Sequence, residues 1–87
     1  MVTFKATPNP NAGKFTVGRV IVEGKSSRSF YNATQASSDP IAAALFALGG
    51  VTNVFMVEDF VTVTKDPSAD WSELIPRVTE TLESVLS

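Results

Sequence analysis

VTNVFMVEDFVTVTK, residues 51–65, decides the fold. Two β-rich runs, 51–57 and 60–65, flank Glu58-Asp59, and so short a connection favours an antiparallel hairpin. Val61 and Val63 share one face of the second run. Phe60, Thr62 and Thr64 share the other, which is the more exposed. A hairpin with one apolar face must be covered by something else, and the flanking sequence supplies the cover.

Immediately upstream, SSDPIAAALFALGG has the punctuation of a helix over about 40–48. Ser38 or Asp39 can cap it, Pro40 suits the first helical position and Gly49-Gly50 suits a left-handed stop. Ile41, Ala44, Leu45 and Leu48 fall on one face, with Phe46 at its edge. Downstream, Trp71, Leu74, Ile75, Val78, Leu82, Val85 and Leu86 keep a helical period. Asp70 is a cap with Glu73 as its capping-box partner, and Glu73–Arg77 is a weak surface pair. Pro76 predicts a kink or a loose first turn there.

Further upstream, Val2, Phe4 and Ala6 alternate with Thr3, Lys5 and Thr7, the pattern of a half-buried strand. A second strand lies within KFTVGRVIVEG, residues 14–24, with a bulge or break at Gly18, and RSFYN can add a short further strand. The order strands, helix, hairpin, helix predicts an α+β fold. Its form is a two-layer sandwich, a mostly antiparallel sheet of about four strands with two helices, in one domain spanning 1–87.

Composition excludes more than it includes. The chain has 87 residues, a net charge of -2, 44% hydrophobic residues, and no cysteine or histidine. Disulfides and thiolate-held clusters are therefore impossible within it, and the commonest nucleophile and base are missing. Scattered cations in an acidic chain argue against nucleic acid and membrane surfaces as partners. Neither a leader pattern nor an apolar run long enough to span a bilayer is present, so a cytosolic protein is the expectation. Asn32-Ala33-Thr34 matches a glycosylation acceptor and is read as chance.

Sites of reaction chemistry fail one by one. Around Gly13-Lys14, a phosphate loop would need an earlier glycine where Pro8 stands and a hydroxyl where Phe15 stands. Asp66, Ser68 and Asp70 have the opening spacing of a calcium loop, but Trp71 replaces its glycine and Arg77 its glutamate. Glu58 and Asp59 are adjacent acids at a turn, with nothing to push their pKa values apart. No serine is marked out as a nucleophile, so no enzyme is expected.

The stretch TPNPNAGKF, residues 7–15, survives this filter. One reading is a structural turn, in which prolines preset φ, asparagines bond their own backbone and Gly13 supplies positive φ. The other is a preorganised loop whose amides and Lys14 ammonium await a partner. The residues alone favour the turn.

TPNPNAGKF, DPIAAALFALGGVTNVFMVEDFVTVTK and DWSELIPRV together resemble the N-terminal domain of the Nfu (NifU-like) iron-sulfur cluster scaffold family, over about residues 4–85. The likeness falls on Thr7 to Asn11, Lys14-Phe15, Pro40 to Ala42, Leu45-Phe46, Gly50-Val51, Val54-Phe55, Asp59 to Lys65, Trp71 and Pro76. It implies an α+β domain, here alone, with a place in iron-sulfur protein maturation. Full-length family members bind their cluster through a C-x-x-C motif in a separate domain, which a chain without cysteine cannot supply.

The resemblance thus implies a non-catalytic interaction module that binds no cofactor itself and meets a cluster only through a partner. That partner would be an iron-sulfur scaffold, carrier or target apoprotein. Candidate contacts are Pro8, Asn9, Pro10, Asn11 and Lys14 in the corner loop, with Asn53, Phe55, Thr62 and Thr64 on the hairpin. The alternative is a weak site for ferrous iron or another divalent ion, or a small ligand, at Glu58 and Asp59.

Overall fold

The computed structural model describes residues 2–24 and 26–86. Strands β1 (Thr3–Ala6), β2 (Ala12–Thr16) and β3 (Ser27–Phe30) precede helices α1 (Ala33–Ala36) and α2 (Pro40–Phe46). Strands β4 (Val51–Val57) and β5 (Phe60–Lys65) and helix α3 (Trp71–Val85) follow. The hairpin forms as its alternation requires, with β4 and β5 antiparallel and Val57 opposite Phe60. Glu58 turns the chain in the left-handed region at φ 47°. A register shift between Val51 and Asn53 marks a bulge near the start of β4.

All four pairings are antiparallel, and the five strands lie in the order β1-β2-β5-β4-β3. The hairpin is therefore the centre of the sheet. The earlier strands add to its two sides, β2 to β5 and β3 to β4.

Period two then sorts the side chains. Phe15, Val54, Met56, Val61 and Val63 point to one side and are buried. There they meet Ala36 of α1, Ala42 and Leu45 of α2, and Leu74, Val78 and Leu82 of α3 in one core. Each fully buried Leu, Val, Phe or Met contributes about 1.5 to 3 kcal/mol, so this helix-covered face supplies most of the driving force.

The α+β two-layer expectation holds, with differences of detail. The sheet has five strands rather than about four, because RSFYN does form β3, pairing Phe30 with Val54. There is a third helix, α1, too short to show a hydrophobic period. It begins at Asn32, whose side chain accepts from the Gln35 N–H at 2.8 Å. The Asn-Ala-Thr triplet is a helix cap.

β2 starts at Ala12, so Lys14 is a strand residue and not part of a loop. Gly13 is not among the positive-φ residues, which corrects the turn expected there. Gly18, at φ 78°, is what breaks the strand. Beyond it Val22 returns to the core while Val20 stays exposed.

The helix caps match their residues. Asp39, itself buried, accepts from Ile41 N–H at 2.9 Å and Ala42 N–H at 3.1 Å, and Gly49 and Gly50 follow α2 at φ 79° and 77°. α2 ends at Phe46, two residues before the expected stop. Helix α3 runs on through Pro76. In its first turn the Asp70 carbonyl accepts from both Glu73 and Leu74 N–H groups. The cap bond comes from Ser72 N–H to the Asp70 carboxylate at 2.9 Å.

Candidate functional site

The nine expected contact residues separate into two regions built on different principles. The first is the proline-asparagine corner between β1 and β2. The Thr7 hydroxyl accepts from Asn9 N–H at 3.2 Å and lies 2.8 Å from the Ala12 carbonyl. Asn11 N–H donates to Asn9 Oδ1 at 2.9 Å, an Asx turn. Pro8, Asn9 and Pro10 are exposed.

Three long-range bonds then tie the corner down. Lys65 donates its backbone N–H to the Asn11 carbonyl at 2.7 Å and its Nζ to Asn11 Oδ1 at 3.1 Å. Trp71 Nε1 donates to the Pro10 carbonyl at 2.9 Å. Below these bonds the rings of Phe4, Phe15 and Trp71 pack with centroids 5.1, 5.5 and 6.3 Å apart. Gly13 is required here because a Cβ would run into the Phe4 ring and lie 3.1 Å from Trp71 Cη2. Close approach, not positive φ, selects the glycine.

Just beyond, Asp66 Oδ1 accepts from the Ser68 hydroxyl at 2.7 Å and the Ser68 N–H at 2.9 Å. The Ser68 hydrogen bonds hold the Asp66 carboxyl below its ordinary value of 3.8, and the Ser72 N–H does the same for Asp70. The calcium-like spacing is a turn followed by a helix cap.

The second region is the face of the sheet turned away from the helices. Cross-strand register places Lys5, Lys14, Thr62, Phe55 and Ser29 in one row across all five strands. A second row joins Ala12, Thr64 and Asn53. Lys14, Asn53, Phe55, Thr62 and Thr64 therefore share one surface, while the corner loop turns toward Trp71 and Lys65 on the helix side. None of the described helices lies on this surface. Phe55 is 37% exposed, and the Lys14 ammonium sits 4.3 Å from the centre of the Phe60 ring. Asn53 Oδ1 is buried without a hydrogen-bond partner among the described residues.

Glu58 and Asp59 are exposed at the hairpin tip, and their backbones are engaged. The Glu58 carbonyl accepts from Ile21 N–H at 2.7 Å and Val22 N–H at 3.2 Å, and the Asp59 carbonyl accepts from Val17 N–H at 2.8 Å. The tip thus clasps the irregular segment after β2. Among the described residues, no group of three or more His, Cys, Asp or Glu side chains is placed to hold a metal.

Three features escaped the sequence reading. Lys65 is 7% exposed because strand parity puts it on the inner face after Val61 and Val63, a signal that was present in the alternation. Asp39 pairs with Arg28 at 3.0 Å besides capping α2, a contact between β3 and the helix layer with no sequence signature. Lys5 became a neighbour of Lys14 only through strand pairing.

Residues 2–87 match the family model described as "Scaffold protein Nfu/NifU N terminal". NifU-like protein 5, mitochondrial, of Arabidopsis thaliana is 42% identical over 74 residues, which cover 85% of this chain and 26% of that protein. The NFU1 iron-sulfur cluster scaffold homolog, mitochondrial, of Drosophila erecta is 42% identical over 72 residues, covering 83% and 25%. The chain spans about a quarter of the length of these relatives.

Among solved structures, a Staphylococcus aureus protein superposes with a TM-score of 0.79 at 28% identity, covering 99% of this chain and 98% of that one. A NifU-like protein from Saccharomyces cerevisiae reaches 0.86 at 24% identity, covering 97% and 76%, a likeness of fold. The names of the Arabidopsis and Drosophila relatives place them in the mitochondrion, which overturns the cytosolic expectation. A signature whose residues interlock at one corner, a matching family model and matching folds lead to one conclusion: the chain belongs to the Nfu/NifU scaffold family, in which it corresponds to the N-terminal domain.

Proposed function

We propose that this domain is a non-catalytic accessory module in iron-sulfur cluster assembly or delivery. It docks a cysteine-bearing scaffold, carrier or target apoprotein through the open face of its sheet. The observation that carries the reading is that face itself, where Lys14, Thr62 and Phe55 stand in one row and Thr64 in the next, with none of the described helices over them. An exposed aromatic beside an ammonium and hydroxyls on a rigid platform is suited to protein recognition. Pro8, Asn9, Pro10 and Asn11 would form a second, separate contact, since their loop turns toward Trp71 and Lys65. The relatives' printed name, iron-sulfur cluster scaffold, supports the process. The cluster, as cargo, stays on the partner's thiolates, since this chain offers none.

The test is an amide-shift titration of the labelled domain with a cysteine-bearing Nfu-type scaffold domain, cluster-free and cluster-loaded. Shifts are expected at Lys14, Asn53, Phe55, Thr62 and Thr64, and Phe55→Ser should weaken binding about tenfold or more while the spectrum stays folded. Silence with both forms of the scaffold overturns the reading. Shifts induced by ferrous iron alone and abolished by Glu58→Ala/Asp59→Ala would replace it with metal binding.

A further inference from the structure

The open face carries a charge pattern opposite to that of the rest of the chain. Lys5 and Lys14 are directly opposed on β1 and β2, both directed away from the core. Like charges directly opposed across strands repel, yet this sheet keeps the two together. No Asp or Glu lies on β1, β2, β3 or β5, and β4 has none either, so the strands offer these ammonium groups no carboxylate. Lys14 leans on the Phe60 ring at 4.3 Å, which positions its ammonium without consuming its hydrogen-bond donors. All nine carboxylates lie off the strands: Glu73, Glu80 and Glu83 on α3, Glu58 and Asp59 at the hairpin tip, and Glu23, Asp39, Asp66 and Asp70 in the connections. With a chain charge of -2, removing these two lysines leaves -4 for everything else.

Resting on the docking role above, we infer that Lys5 and Lys14 are paired anchors for carboxylates, so that the partner presents an acidic protein surface with an apolar centre. The apolar centre meets Phe55, and its acidic edge meets the lysine pair at the far end of the same row. Charge complementarity selects the orientation as well as the partner, because a surface rotated by half a turn would bring its acids to Ser29 instead. A polyphosphate backbone fits less well. It would ask for a longer basic stripe, and it would be repelled by the acidic remainder of the chain.

The probes are a soluble glutamate-phenylalanine peptide, the same peptide with lysine for glutamate, and oligothymidylate, each titrated into the labelled full chain. The acidic peptide should shift the amides of Lys5, Lys14, Thr62 and Phe55. In Lys5→Ser/Lys14→Ser its binding should weaken about fivefold, and raised salt should produce a similar loss. Equal shifts with both peptides, shifts centred on α3, or a response to the oligonucleotide alone would each overturn the inference. The scaffold titration repeated on Lys5→Ser/Lys14→Ser separates the two readings. Unchanged scaffold binding sinks the anchor role and leaves docking intact, whereas acidic-peptide binding without scaffold binding sinks the scaffold partner and leaves the anchors.

Discussion

The corner at residues 7–13 and the open sheet face are neighbours in the fold and opposites in construction. At the corner the carbonyls of Pro10 and Asn11, the Asn11 amide oxygen and the Trp71 indole N–H are all joined to one another or to Lys65. On the open face Lys14 has only a ring beneath it, Phe55 faces outward, and Asn53 Oδ1 has no partner among the described residues. The conspicuous motif is thus the one whose polar groups are tied into the fold. A stretch of prolines, asparagines and an invasively packed glycine is memorable because its neighbours constrain every residue. A binding face asks only for strand formers with the right parity, and such residues look ordinary.

The corner is most vulnerable at Trp71. Trp71→Ala removes one ring of the aromatic trio and the bond to Pro10, and should cost about 3 kcal/mol in chemical denaturation followed by circular dichroism. Gly13→Ala, forced against the Phe4 ring, should cost about 2 kcal/mol. Either substitution proving neutral would mean the corner is not stapled at all. Next in size is the coupling between Asn11 and Lys65. A double-mutant cycle with Asn11→Ala and Lys65→Met should give about 1 kcal/mol, because Asn11→Ala leaves the Lys65 ammonium only its 3.5 Å bond to the Asp66 carbonyl and Lys65→Met takes the donor from Asn11 Oδ1.

The open face should answer in the opposite direction. Asn53→Val removes the orphaned carbonyl oxygen from a strand position and should raise stability by about 0.5 kcal/mol, at the expense of scaffold binding. A loss of stability there would show that Asn53 is structural after all. The smallest effect is that of acid. The Asp66 and Asp70 carboxyls titrate below 3.8 in the folded chain, so they support the start of α3 fully above that pH. They release it as the pH falls through their lowered values. Asp70→Asn and Asp66→Asn should flatten the acid limb of a thermal-melting profile below pH 4, and an unchanged limb would show that neither the α3 cap nor the turn before it depends on these charges.

Legibility in the sequence followed the range of the interaction. The hairpin, α2 and α3 could be read because alternation, helical period, caps and glycine stops are encoded within a few residues. Helix α1 was invisible since four residues make a single turn and repeat nothing, and its Asn32 cap imitated another pattern. Gly13 was rightly singled out but for the wrong reason, because the ring that excludes a Cβ comes from Phe4 on the other strand. Of the site, Lys14, Phe55, Thr62 and Thr64 could be named from the hairpin and the resemblance. Their union into one face, apart from the corner loop, and the presence of Lys5 beside Lys14 depend on strand order, which no local pattern records.

That strand order also governs how the chain is made. β5 is the last strand to leave the ribosome and the one against which β2 must pair, so the opening strands emerge with no central neighbour to join. Until β5 appears, β1 and β2 can hold only each other, with Phe15 uncovered. An isolated two-stranded ribbon is marginal in water. Trp71, which locks the corner, arrives later still. The corner between β1 and β2 is therefore completed only after β5 and the start of α3 have been made.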